Sequence, residues 1–90
     1  MATWDARSWV ADELGCGRDD LSVLSRNDGK ETQVRYADKN GQVTRLVVAG
    51  PLRPLNPAEP DGHWEVALQL PDQTVRTPSE PVPGSTEIEY

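Results

Sequence analysis

Few side chains in this sequence are of the types that carry chemistry, and their spacing limits what each can do. There is one cysteine, Cys16, and one histidine, His63. A zinc or copper site needs three or four clustered thiolate or imidazole ligands, which this pair cannot supply. Asp19-Asp20 lacks the alternating acids of a calcium loop. No metal is expected. A nucleophilic cysteine needs a base beside it. Cys16 lies between Gly15 and Gly17, and the alternation around His63 turns its imidazole away from the side expected to meet the helix. The pairs Asp12-Glu13, Asp19-Asp20 and Glu87/Glu89 have general acid–base chemistry within reach, but all stand in polar surroundings that leave a carboxylate ordinary. Gly15-Cys16-Gly17-Arg18 follows a helix, whereas a phosphate-binding turn follows a strand and opens a helix. No cofactor is expected, and the chain is read as a non-enzyme.

Recognition motifs are equally sparse. Pro51, Pro54, Pro57 and Pro60 recur every third residue, the period of a polyproline II helix. The stretch Pro51-Leu52-Arg53-Pro54 has the PxxP core, but Val48 and Asn56 stand where an SH3 ligand carries its basic flank. A stiff connector is the simpler reading. Ile88-Glu89-Tyr90 alternates up to the last residue, a pattern that a PDZ-type groove accepts and that many sequences show by chance.

Charge narrows the partners. The net charge is −6. Residues 1–50 hold seven Lys or Arg against eight Asp or Glu, and residues 51–90 hold two against seven. Such a chain repels phosphate backbones, so direct nucleic-acid binding is not expected. The acids Glu59, Asp61, Glu65, Glu80, Glu87 and Glu89 instead suit either plain solubility or imitation of a nucleic acid before a nuclease or similar enzyme, as in anti-restriction or anti-CRISPR inhibitors. Neither a signal peptide nor a membrane-spanning stretch is read from the sequence, and one cysteine forms no internal disulfide. A cytoplasmic location is the expectation.

Elements must now position these groups. With 90 residues and 36% apolar content, one small domain is expected, of marginal stability because so small a chain buries little of its surface. Thr3 to Leu14 reads as an amphipathic helix, capped at Thr3 or Asp5 and stopped by Gly15 and Gly17. Ala6, Trp9, Val10 and Leu14 share its apolar face. Leu21 to Arg26 is the first strand, joined through a primed turn at Asp28-Gly29 that sets Val23 opposite Val34, Leu21 opposite Tyr36 and Arg26 opposite Glu31. At the next turn two registers compete. A two-residue loop at Asn40-Gly41 pairs Val34 with Val47. A three-residue loop, Lys39-Asn40-Gly41 with a glycine bulge, pairs Val34 with Leu46 and Tyr36 with Thr44. The second is preferred, because it gathers Leu21, Val23, Val34, Tyr36, Leu46 and Val48 on one face. His63 to Leu70 alternates as a fourth strand with Trp64, Val66, Leu68 and Leu70 inward, and Thr74 to Thr77 offers a short addition.

The expected architecture is α+β: one N-terminal helix on a four-stranded antiparallel sheet, with room for a fifth strand from the C-terminal segment. The domain is drawn as residues 1–77, with a Pro-rich connector at 50–62 and a flexible or loosely attached tail at 78–90. The preferred register sets Arg35 opposite Arg45 on the outer face, amid Leu24, Val43 and Val47. Like charges so placed repel, and arginines framed by apolar residues favour an interface. These five residues are the candidate protein-binding site of an adaptor or inhibitor whose partner and oligomeric state the sequence leaves open. A third reading is a small ligand carrier or enzyme with a pocket lined by Trp4, Trp9 or Trp64.

Overall fold

Asp5 decides where the helix begins. Its carboxylate accepts the backbone N–H of Ser8 at 3.1 Å and the Ser8 hydroxyl at 2.8 Å, the contacts of an N-cap. In the computed structural model, which describes residues 2–27, 29, 31–50 and 62–90, α1 therefore runs Ala6–Leu14. The expected helix was longer. Residues upstream of a cap are free to extend, and Thr3–Asp5 forms a short strand, β1. At the other end Gly15 takes the left-handed conformation, φ 72°. Gly15 and Cys16 return their N–H groups to Asp12 and Ala11, the paired bonds of a Schellman stop. A 3₁₀ turn, Arg18–Asp20, follows.

The sheet is α1's support. Strands β2 (Ser22–Asn27), β3 (Glu31–Ala37), β4 (Val43–Ala49) and β5 (His63–Gln69) lie in that order, each antiparallel to the next. The free edge of β5 takes two short strands. Val75–Arg76, β6, pairs with its end, and Val82–Pro83, β7, pairs with its start. Glu87–Glu89, β8, runs parallel to β1, with Trp4 beside Ile88. The α+β class and the N-terminal helix are as expected. The segment from Pro78, drawn as a loose tail, is placed with Val82 and Thr86 buried.

Alternation sorts the central strands into two faces. Val34, Tyr36, Thr44, Leu46, Val48, Val66 and Leu68 are buried, and Ala6, Val10 and Ala11 of α1 join them with Leu21 and Val82. Burying a valine or leucine side chain contributes about 1.5–3 kcal/mol. Trp9, expected on the apolar face of the helix, is partly buried against the core, 5.8 Å from the Trp4 ring.

The first hairpin departs from expectation. Arg26 lies opposite Val34, Val23 opposite Tyr36, and the register slips by one residue at Leu24. Val23 is 45% exposed rather than buried, as is every residue of β2. A strand with no buried side has no burial to fix its register. Arg26 places its guanidinium 4.9 Å above the Tyr90 ring instead of facing Glu31. The primed turn at Asp28-Gly29 and the Pro-rich connector fall on residues outside those described, 28, 30 and 51–61.

Two expected outcomes follow from this packing. Gly50 faces Trp64 so closely that a Cβ there would meet Cε3 at 2.8 Å and Cα at 3.1 Å. Gly50→Ala is expected to lower the unfolding free energy by about 1–3 kcal/mol in a urea titration. Tyr36 is fully buried, and burial is the chief cause that pushes its phenol from an ordinary 10.0 up to about 12, against the opposing charge of Arg7. Below pH 10 the phenol is neutral in both states. Between pH 10 and 12 the unfolded chain ionises first, so stability falls as pH rises, by about 2–3 kcal/mol in total. Tyr36→Phe should remove that alkaline loss when unfolding is followed across this window. An equal loss in the variant would refute the assignment.

Candidate functional site

The turn between β3 and β4 fixes where Arg35 and Arg45 stand. Asp38 donates its N–H to the Gln42 carbonyl and accepts that of Gly41 on its own carbonyl, both at 3.0 Å. Its carboxylate takes the N–H groups of Asn40 and Gln42 at 2.8 and 2.9 Å. Gly41 sits at φ 78°, a conformation that suits glycine. This is the three-residue loop with a glycine bulge. It pairs Val34 with Leu46, Tyr36 with Thr44 and Arg35 with Arg45.

Bonding alternates along an antiparallel pair, so the exchange at Asp38 makes Arg35 and Arg45 a non-hydrogen-bonded pair. Opposed residues approach most closely there, about 4.5 Å between Cα atoms. Both are exposed. Among the described residues neither guanidinium has an ion pair or hydrogen bond. On β3 itself, Glu31 accepts the Gln33 amide at 3.2 Å.

The five sequence-derived residues are not gathered equally. Arg35, Arg45 and Val43 line one open groove of about 380 Å³ with Gln69, Leu70, Pro71 and Gln73. Val47 lies further along β4, half-buried opposite Gln33 and Ala67. Leu24 sits at the slip in β2, 54% exposed, and does not line the groove. Gln69 was legible as an outward residue of the fourth strand. Gln73 was not, because it belongs to a turn with no Gly or Asn to announce it.

That turn repeats the first. Leu70 donates to the Thr74 carbonyl, and Gln73 donates to the Leu70 carbonyl, each at 2.9 Å. Gln73 occupies the position of Gly41 and takes φ 70°. Bonds from the backbone and hydroxyl of Thr74 hold the Asp72 carboxyl below its ordinary range. A second open groove, about 470 Å³, adjoins through Leu70 and Pro71 and is lined also by Glu13, Leu14, Gln42 and Asp72.

The remaining candidates are dispersed. Cys16 closes the helix end through its bond to Ala11, while His63 opens β5 opposite Pro83. Asp12 and Glu13 are exposed on α1, and Asp20 accepts the Gly17 N–H at 3.1 Å. Trp4 and Trp9 pack together, but Trp64 donates its indole N–H to Thr86, and no tryptophan lines either groove. Among the acids of the second half, Glu65 belongs to β5, whereas Glu87 and Glu89 belong to β8, with Glu89 3.5 Å from Arg18. Glu59 and Asp61 lie outside the described residues. Among the described residues no cluster of three or more His, Cys, Asp or Glu could hold a metal ion, and no helix is long and apolar enough to cross a membrane.

Comparison with protein-family models, with curated proteins and with solved structures returns no match.

The opposed arginines carry a measurable energetic signature. Arg45→Glu turns the repulsive pair into an attractive one and should raise stability by about 0.2–1 kcal/mol at low salt. Arg35→Glu should do the same, and the double variant should return towards wild type. The thermodynamic cycle reads the pair alone, and its coupling should shrink as salt screens the charges.

Proposed function

We propose that this protein is a non-enzymatic protein-binding module, an adaptor or inhibitor, that presents the outer face of its sheet to a partner. The observation that carries the reading is the Arg35–Arg45 pair. Two exposed guanidiniums are held opposite each other in the closer kind of cross-strand pair, with no anion of the described chain to separate them. Isolated, the arrangement costs stability. It gains purpose when a partner covers it, because desolvated arginine contacts are among the strongest anchors of protein interfaces.

The surroundings support the same reading. Val43 is 44% exposed beside the pair, and Leu70 and Pro71 border the groove. An interface of this kind combines arginine with apolar contact. The helix, β1, β7 and β8 all contribute to the core on the opposite side of the sheet.

The test uses Arg35→Glu/Arg45→Glu, whose paired change leaves cross-strand repulsion near its original value. Proteins co-purified with the immobilised wild type are isolated and the binary complex is rebuilt from pure components. The variant, shown to be folded by circular dichroism, should bind the partner about a hundredfold more weakly in calorimetry. Equal affinity for wild type and folded variant would remove this face as the binding surface.

A further inference from the structure

The two hairpin turns beside the groove have the same backbone geometry but different residues at the left-handed position. In the β3–β4 turn that position is Gly41, φ 78°; in the β5–β6 turn it is Gln73, φ 70°. Only glycine adopts this conformation without strain. For a residue with a long side chain the cost is about 1–2 kcal/mol, and non-glycine residues held this way concentrate at functional sites. Gln73 lines the groove with Arg35, Arg45 and Gln69. A glycine there would relieve the backbone and lose the amide.

We infer that this groove reads a carboxylate, an Asp or Glu side chain set among apolar residues of a partner protein, seated between Arg35 and Arg45 and addressed by the amides of Gln69 and Gln73. The inference rests on the outer face being the protein-binding surface and names what that face recognises. The donor set is suited to it. Guanidiniums and amide NH₂ groups donate to carboxylate oxygens, and charge-assisted bonds of this kind are the strong ones. An acid placed here also separates the two arginines that otherwise repel.

Charge complementarity selects the occupant. The whole chain carries −6, which opposes the approach of a polyanion such as a nucleic acid. A single carboxylate flanked by apolar residues avoids that repulsion and matches Val43, Leu70 and Pro71 at the rim. A second copy of this chain would bring its own net negative charge to the encounter.

The experiment is an NMR titration of the full chain with a short peptide of alternating Glu and Val. Parallel arms use the same peptide with Gln for Glu, inorganic phosphate, and oligothymidylate. The Glu peptide should shift the side-chain resonances of Arg35, Arg45, Gln69 and Gln73, and the Gln peptide should not. Arg35→Gln or Arg45→Gln should weaken binding about tenfold or more, and raised salt should weaken it too. Gln73→Gly is the decisive variant: it should melt at a higher temperature than wild type and yet bind the Glu peptide several-fold more weakly. A purely structural Gln73 would show the first change without the second. The assignment falls if the Gln peptide binds equally, if the shifts map elsewhere, if phosphate or oligothymidylate binds more tightly, or if sedimentation shows self-association filling the groove. If it falls while the rebuilt partner complex remains sensitive to Arg35→Glu/Arg45→Glu, the face is still the interface and only its chemistry is misassigned.

Discussion

The Asp38 carboxylate bonds the N–H groups of Asn40 and Gln42, and the Asp38 backbone bonds Gly41 and Gln42. The β3–β4 turn so closed admits one register. Because side chains alternate with a period of two, that choice assigns every residue of the two central strands to a face. Val34, Tyr36, Leu46 and Val48 go to the core, and Arg35, Val43 and Arg45 go to solvent. β5 continues the assignment by pairing Leu46 with Leu68 and Val48 with Val66. A slip of one residue at this turn would turn one strand over, burying Arg45 and exposing Leu46 and Val48 if β4 moved, a cost far above any local preference of the loop.

Basic side chains on the two sides of the sheet are used differently. On the helix side, Arg7 donates to the carbonyl of Leu21. Arg18 bonds Asp5 at 2.9 Å and approaches Glu89, and Arg26 covers the Tyr90 ring. Each ties a strand or turn to the helix or to the C-terminal strand. Burial alone would raise the Asp5 carboxyl, but its bonds from Ser8 and Arg18 outweigh that and hold it below its ordinary value. It therefore stays ionised as both cap and ion-pair partner. The outer arginines have no such employment within the described chain. The contrast lies in their neighbours, not in the residue type.

Legibility in the sequence followed burial. The central hairpin could be read because its two registers differ in how much apolar surface they hide, and Gly41 marked the turn. β5 could be read from the alternation of Trp64, Val66 and Leu68. The register of β2 could not, because all its residues are exposed, and Arg26 packs over Tyr90, a residue with which it has no local sequence relation. The pairing of Thr3–Asp5 with Glu87–Glu89 was hidden for the same reason, and the helix was drawn too long because Asp5 was one of two caps on offer. At the candidate site, Arg35, Arg45 and Val43 were legible as consequences of the register. Gln73 was not, since glutamine carries no signal for a left-handed turn.

The parallel pairing of β1 with β8 joins positions 3 and 87, so almost the whole described length lies inside one closed loop. Closing a loop grows dearer only with the logarithm of its length, so at equilibrium the span adds little. In time it matters more. Contacts between distant positions form slowly, and this one has no turn to guide it. The meander β2 to β5 joins strands that follow one another in the chain, whereas the helix carrying Ala6 and Val10 adjoins a seam of high sequence separation, the slower kind of contact to form. The layer that covers the sheet is thus fastened by a pairing between segments 84 positions apart.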